Sequence, residues 1–130
     1  MEDTELFNIL EDDSGFIKNN NYNVVEMTDK KVVVKADVNE TSLNPYGFMH
    51  GGFIFGLGDT AMGILASTKG EKAVTISANI SYLKPAVGKY LIAKAEFERC
   101  GKKVSHLKTD IYNQKEEKVA VLPGSFYYID

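Results

Sequence analysis

The stretch FMHGGFIFGLGDTAMGILAS, residues 48–67, is almost wholly apolar or small and contains one carboxylate, that of Asp59. Its apolar residues neither alternate nor form a single stripe, as they would in a half-buried strand or a surface helix. Wound as a helix at about 100° per residue, the stretch places Gly52, Gly56, Asp59 and Gly63 within roughly 60° of one another, and large apolar residues fill the other directions. The sequence therefore predicts a helix that is buried nearly all round, with a narrow stripe of small residues from which Asp59 projects.

Asp59 is the residue that such a helix leaves unexplained. An ionised carboxylate is costly to place in an apolar interior unless it is paired, hydrogen-bonded or neutralised. Two interpretations stay open from the residues alone. Asp59 is either a member of a structural hydrogen-bond network or a group kept for chemistry.

Strand signals surround the predicted helix. Five segments rich in β-branched or alternating residues predict strands: residues 31–38, 74–83, 90–99, 104–112 and 119–129. In residues 74–83 the alternation is strict and puts Thr75 on the polar face. Residues 100–103 predict a hairpin turn, and Pro123 with Gly124 predicts a bulge or an edge feature in the last strand.

The N-terminal part of the chain carries weaker signals. Residues 5–11 place Leu6, Ile9 and Leu10 on one side and predict a short amphipathic helix, whereas NNNYN at residues 19–23 predicts a loop. No repeat or linker interrupts the sequence, so we expect a single domain over residues 1–130. Because an antiparallel sheet that wraps a long helix buries it efficiently, the predicted class is α+β.

Composition excludes several function classes. The 130 residues include 15 basic and 18 acidic ones, and the net charge of −3 argues against nucleic acid or an anionic membrane as a partner. Cys100 is the single cysteine, and the sequence contains neither CxxC nor HxxxH, so neither an internal disulfide nor a metal site is expected. The acidic N-terminus is unlike a secretory signal, and glycines and Asp59 interrupt the longest apolar stretch. We therefore expect a cytoplasmic protein.

The segment before Asp59 predicts a carbonyl-binding site. Residues 44–47 predict a turn, and His50, Gly51 and Gly52 open the helix, where unpaired N–H groups and the positive end of the helix dipole lie. Such an end can polarise a carbonyl or hold an oxyanion. Asp59 lies roughly 10 Å further along the axis, too far for both to grip one small group in one chain. A symmetric dimer with antiparallel helices would bring one chain's glycines to the other chain's acid.

One constellation of residues resembles a known family. It consists of Asn44-x-x-Gly47-x-x-His50-Gly51-Gly52, Asp59 and the segment VTISANISYLKPAVG at residues 74–88. This constellation resembles the hotdog-fold acyl-CoA thioesterases of the phenylacetic acid degradation type, strongly over residues 44–101 and in strand pattern beyond. The resemblance implies a hotdog fold and hydrolysis of a coenzyme A thioester without a metal or other cofactor. It also implies a homodimer or a dimer of dimers, with active sites at the subunit interface.

Carried over residue by residue, the resemblance assigns the catalytic roles. Asp59 would be the general base for water or the nucleophile. Gly52 of the partner chain would donate its N–H to the thioester carbonyl, while His50 and Asn44 would orient that end of the site. Thr75 would place a hydroxyl near the acid. His50 has a simpler alternative role as a brace for the start of the helix.

The same resemblance predicts the residues that bind coenzyme A. They are Gly51, Lys84, Pro85, Gly101, Lys102 and Lys103. Many relatives carry arginine where this chain has Lys84, so a weaker grip on phosphate is expected. The three lysines have an alternative interpretation as an ordinary solvated face.

Two other functions compete with hydrolysis. A non-catalytic hotdog module would bind acyl-CoA as a sensor or regulator, although the presence of both Asp59 and Thr75 speaks against it. A hotdog hydratase or dehydratase would pair a histidine with an acid. His106 beside Asp59 would support that second alternative.

Overall fold

The structure is a computed structural model that describes residues 15–129. Within that range it contains two α-helices, a short 3₁₀ helix at Glu40–Ser42 and seven strands. The α-helices and strands are α1 Phe16–Asn19, β1 Tyr22–Met27, β2 Lys31–Asp37, α2 Gly51–Ser67, β3 Lys72–Ala78, β4 Ser81–Tyr82, β5 Tyr90–Arg99, β6 Val104–Asn113 and β7 Lys118–Ile129. The helix predicted for residues 5–11 lies outside the described residues. None of the helices within this range is long and apolar enough to cross a membrane.

Helix α2 lies at the centre of the fold. Ten of its 17 residues are buried, and the main hydrophobic cluster joins them to the inner faces of the strands. The predicted helix and its nearly complete burial are therefore confirmed. The glycine stripe is only partly open, because the ring of Phe16 and the hydroxyl of Tyr22 cover Gly56 so closely that a Cβ there would lie 2.7 Å from each.

All the strands belong to one antiparallel sheet that curls round α2. The strand order is β1-β2-β5-β6-β7-β3, and the short β4 also pairs with β7. This arrangement confirms the predicted class, a long helix wrapped by an antiparallel sheet. Strands β1 and β3 form the two edges of the sheet.

The first edge strand was missed by the sequence patterns. Residues 19–23 were predicted to be a loop, but Tyr22 and Asn23 begin β1, so that prediction is partly wrong. Tyr22 is only 4% exposed, and its hydroxyl donates a hydrogen bond of 2.6 Å to the Phe53 carbonyl in α2. The neighbouring asparagines favour a loop, and Tyr22 is the one deeply buried residue of β1, so the sequence pattern does not reveal the strand.

The segment predicted as one strand over residues 74–83 is two strands. Strand β3 ends at Ala78 and contains a bulge between Thr75 and Ser77, while β4 holds only Ser81 and Tyr82. The bulge breaks the strict alternation, which is possible because an edge strand has only one partner to match.

Pro123 and Gly124 do not interrupt the last strand, contrary to the prediction. Strand β7 runs continuously, with Gly124 opposite Ala78 of β3 and Val121 opposite Ser81 of β4. Pro123 therefore lies opposite the gap between β3 and β4, where its carbonyl accepts the Asn79 N–H at 3.1 Å. A residue without an N–H fits at such a gap.

Candidate active site

The N-terminus of α2 is capped by the side chain of His50. His50 is the N-cap residue, and its Nδ1 accepts the Gly52 N–H at 2.8 Å. This contact satisfies one of the N–H groups that the first helical turn leaves without an intrahelical acceptor. In the single chain, the N–H predicted to polarise a substrate carbonyl is thus occupied by the His50 ring.

Tyr82 reaches the same turn from β4 and was not among the predicted site residues. Its hydroxyl donates a hydrogen bond of 2.7 Å to the Gly51 carbonyl. A Cβ at Gly51 would lie 3.0 Å from the Tyr82 hydroxyl oxygen, so the glycine permits this approach. Burial raises the pKa of Tyr82 above its ordinary 10.0 and keeps the hydroxyl protonated as a donor. No local motif identifies the contact, because it depends on the tertiary pairing of β4 with β7, which places Tyr82 beside the start of α2.

Asn44 presents its amide nitrogen outward from a tight turn. Its Oδ1 accepts the N–H groups of Tyr46 at 2.9 Å and Phe48 at 3.1 Å. Gly47 closes this turn with a φ of +87°, a conformation that favours glycine. The two contacts fix the orientation of the amide, whose donor Nδ2 has no hydrogen-bond partner among residues 15–129.

A groove of about 430 Å³ opens beside this end of the helix. Four predicted residues line it, namely Asn44, Gly51, Lys84 and Pro85, together with Tyr82. The structure therefore brings together the predicted carbonyl end and part of the predicted coenzyme A site.

The ammonium of Lys84 already has a partner in this groove's wall. Its Nζ lies 2.7 Å from Glu117 Oε2. The hydrogen bond from Lys84, followed by that from Asn113, lowers the pKa of Glu117 below its ordinary 4.5. A phosphate that binds Lys84 must therefore compete with a carboxylate.

Asp59 faces the edge strand β3. Thr75 Oγ1 donates a hydrogen bond of 2.7 Å to Asp59 Oδ1. Asp59 is half-buried and Thr75 is exposed. Within the described part of the chain, Oδ2 has no hydrogen-bond partner. One oxygen of the carboxylate is thus held in place, and the other is open to accept a proton or attack a carbon.

The remaining predicted residues lie elsewhere. Gly101 and Lys102 line a separate groove of about 340 Å³ with Tyr128, and the Gly101 N–H donates to Ser105 Oγ at 3.0 Å. Lys103 belongs to the same turn between β5 and β6. Within one chain the two halves of the predicted coenzyme A site therefore line different grooves.

His106 does not form the pair that a hydratase would need. Its Nδ1 lies 2.8 Å from Ser125 Oγ, and its side chain is exposed on the outer face of the sheet. Asp59 bonds Thr75 beside the helix instead. Among residues 15–129, no group of three or more His, Cys, Asp or Glu side chains is arranged to hold a metal ion.

A single long helix wrapped by a curled antiparallel sheet, with a glycine-rich N-terminus and a carboxylate midway, defines a hotdog-fold protein of the thioesterase class. The chain belongs to the Thioesterase superfamily, whose sequence model matches residues 46–120. The acyl-coenzyme A thioesterase PaaI of Escherichia coli is 31% identical over 107 residues, which cover 82% of this chain and 76% of that protein.

Solved structures support the same relationship. The structure of E. coli PaaI, from the phenylacetic acid degradation operon, matches with a TM-score of 0.92 at 27% identity and covers 98% of this chain and 92% of that one. A Streptococcus mutans UA159 protein bound to acetyl CoA matches with a TM-score of 0.80 at 31% identity, over 84% of this chain and 89% of that one.

A hypothetical thioesterase of Streptococcus pneumoniae TIGR4 provides a third comparison. Its structure with coenzyme A has a TM-score of 0.79 at 33% identity and covers 83% of this chain and 88% of that one. Two variants of that protein replace one aspartate and one threonine by alanine, 16 positions apart. Asp59 and Thr75 are separated by the same 16 positions.

Proposed function

We propose that this protein hydrolyses acyl-CoA thioesters to a free acid and coenzyme A, with Asp59 as the catalytic carboxylate. The observation that carries the proposal is the Asp59–Thr75 pair, in which a hydroxyl holds one carboxylate oxygen at 2.7 Å and leaves the other open. The names of the E. coli and S. pneumoniae relatives, and the coenzyme A and acetyl CoA in two of the structures, support the substrate class.

Two routes fit an open carboxylate oxygen. As a general base, Asp59 takes a proton from water while the water oxygen attacks the thioester carbon. As a nucleophile, Asp59 attacks that carbon itself and forms an acyl-aspartyl anhydride, which water then hydrolyses. In both routes the C–S bond breaks, and the thiolate of coenzyme A leaves and is protonated.

The carbonyl oxygen needs donors as negative charge develops on it. We assign this role to Asn44 Nδ2 and to the Gly52 N–H. Asn44 is suited to it because its Oδ1 accepts two backbone N–H groups, which fix the orientation of the amide and of its donor, Nδ2. Gly52 becomes available when the His50 ring gives up its 2.8 Å contact, or shares it with the substrate oxygen.

These donors and Asp59 would meet across a homodimer interface. Gly52 and Asp59 are seven residues apart in one helix, which corresponds to about 10 Å along the axis. Edge strand β3 carries Val74 and Ile76, which are 44% and 56% exposed, and such apolar side chains on an unpaired edge favour association. We propose that the partner chain docks there, with antiparallel α2 helices, and that these dimers pair into a dimer of dimers. Lys84, Pro85 and the turn at residues 101–103 would then contact coenzyme A from different subunits.

Thiol release from a panel of acyl-CoAs tests the proposal directly. The panel should contain acetyl-, hexanoyl-, palmitoyl- and phenylacetyl-CoA, with wild type, Asp59→Asn and Asp37→Asn compared side by side. We expect hydrolysis by the wild type, a fall of at least ~10²-fold in Asp59→Asn, and no change in Asp37→Asn. The hydrolysis rate of Thr75→Val should fall about tenfold, because this variant lacks the hydrogen bond to the charged carboxylate. Thr75→Ser should retain most of the rate.

The competing function is a non-catalytic acyl-CoA-binding module. The observation that favours it is the occupation of the Gly52 N–H by His50. A wild-type protein that binds acyl-CoA in calorimetry but releases no thiol would establish the binding module. Equal hydrolysis by wild type and Asp59→Asn would leave Asp59 a structural residue.

A further inference from the structure

We propose that Tyr82 is a positioning residue, which orients the peptide group between Gly51 and Gly52 so that its N–H stays aimed at the substrate carbonyl. The inference rests on the proposed function, since it concerns the donor that would polarise the thioester. Neither the sequence pattern nor the family assignment gives Tyr82 a role.

The proposal depends on the peptide group between Gly51 and Gly52. The Gly51 carbonyl and the Gly52 N–H belong to the same planar unit and point in opposite directions. The Tyr82 hydroxyl donates to the carbonyl at 2.7 Å, and His50 Nδ1 accepts the N–H at 2.8 Å. The unit is therefore held at both ends by side chains.

Two consequences follow for the proposed reaction. A hydrogen bond donated to the carbonyl polarises the peptide and strengthens its N–H as a donor. When a substrate oxygen replaces His50, Tyr82 becomes the one side chain in the described part of the chain that still bonds this peptide. Without it, the Gly51 carbonyl keeps only the bond from the Phe55 N–H in the first helical turn. The two glycines then restrain the end of the helix less, because glycine backbones have wide conformational freedom.

The surroundings of Tyr82 suit a fixed donor. Strand β4 pairs Tyr82 with Ala120 of β7, which anchors its backbone to the sheet. At Gly51, a Cβ would lie 3.0 Å from the hydroxyl oxygen and 3.2 Å from Cζ. Gly51 therefore allows the ring to approach the helix, which is a role separate from the coenzyme A contact that the resemblance implies.

The test compares Tyr82→Phe with Tyr112→Phe. The first substitution removes only the hydroxyl, and the second removes one from the outer face of the sheet, where Lys94 lies 5.1 Å from the Tyr112 ring centroid. We expect kcat of Tyr82→Phe to fall about tenfold with KM within about twofold of wild type, which corresponds to one lost hydrogen bond in the transition state. Tyr112→Phe should match the wild type.

The ¹⁵N resonance of Gly52 provides a readout that does not depend on activity. It should shift in Tyr82→Phe and stay in place in Tyr112→Phe, because only the first loses the donor to Gly51. Gly51→Ala displaces the ring without altering Tyr82 and should reproduce the fall in kcat.

The inference is overturned if Tyr82→Phe keeps kcat within twofold, if its loss lies in KM alone, or if the Gly52 resonance does not move. A wild-type protein without thioesterase activity would overturn the proposed function instead. In that case the Gly52 resonance alone would decide whether Tyr82 orients the peptide.

Discussion

At the scale of single residues, the ion pair between Lys84 and Glu117 bears on the proposal that Lys84 contacts coenzyme A. An exposed lysine 2.7 Å from a carboxylate is partly neutralised before any phosphate arrives. The chain therefore contains an internal competitor for an anionic ligand. Removal of the competitor and removal of the lysine should have opposite effects on binding.

We expect Glu117→Gln to bind coenzyme A up to about fivefold more tightly, because the free energy of an exposed ion pair corresponds to no more than about this factor. Lys84→Met should bind coenzyme A more weakly. Isothermal titration with coenzyme A at fixed salt measures both. Equal affinity in all three proteins would show that Lys84 is only a solvated side chain.

The same pair predicts a pH dependence. Lys84 lowers the pKa of Glu117, so the contribution of the pair is complete above the ordinary value of 4.5 and is lost as the pH falls through the lowered value. Carboxyl-detected NMR titration should place the Glu117 midpoint below 4.5 in the wild type and higher in Lys84→Met. An unchanged midpoint would contradict the lowering by Lys84.

Residue patterns predicted part of the site and could not predict the rest. Strand polarity placed Thr75 on the polar face, and helix phase made Asp59 project, but that the hydroxyl lies near the acid was expected only from the family resemblance. The His50–Gly52 contact depends on a side-chain rotamer, and the Tyr82–Gly51 contact depends on the pairing of β4 with β7. Neither produces a periodic pattern in the sequence. Gly101 and Lys102 line a different groove from Lys84, and no local pattern in the sequence predicts this separation.

At the scale of elements, two glycines of α2 differ in how closely the sheet packs against them. A Cβ at Gly58 would lie 2.6 Å from Leu122 Cδ2 and 3.2 Å from Ile111 Cδ1 in the buried sheet face. At Gly63 the nearest atom would be Phe126 Cε2, at 3.5 Å, which is an ordinary contact. The two positions therefore form a matched pair.

We expect Gly58→Ala to lower the free energy of unfolding by about 1–3 kcal/mol, because the core there must give way. Gly63→Ala should leave it unchanged or raise it by up to about 1 kcal/mol, since alanine favours the helix. Urea denaturation of both variants measures the difference. A stable Gly58→Ala protein would mean that α2 can move away from β7.

The helix and the four strand segments after it could be predicted, because each shows a clear hydrophobic periodicity or is bounded by turn residues. Strand β1 could not be predicted, since only Tyr22 at its start is deeply buried. The break between β3 and β4 was missed because alternation persists through Asn79 and Ile80, and the tertiary pairing with β7 decides where the strand ends.

At the scale of the whole molecule, the two sheet edges offer a test of the assembly. Edge β1 carries Val25 at a bulge, 57% exposed, and edge β3 carries Ile76 at a bulge, 56% exposed. The two residues are both β-branched and match in exposure and setting, and they lie on opposite edges of the sheet.

We expect Ile76→Glu to dissociate the dimer and to reduce thioesterase activity with it, because a charge would enter the proposed interface. Val25→Glu should remain dimeric and active. Light scattering after size-exclusion chromatography measures the mass of each variant. The reverse pattern would place the interface at β1, and a monomeric wild type would remove the interface altogether.

The burial of helix α2 also limits the substitutions that this protein can accept during evolution. Ten of the 17 residues of α2 are buried in the core of the domain, and the same helix carries Asp59. Mutational tolerance must therefore be low along the helix and higher in the exposed strands and turns around it. New acyl preferences, in nature or in directed evolution, should arise from the exposed side chains of β3 and β4, such as Val74, Ile76 and Tyr82, which are 44%, 56% and 50% exposed.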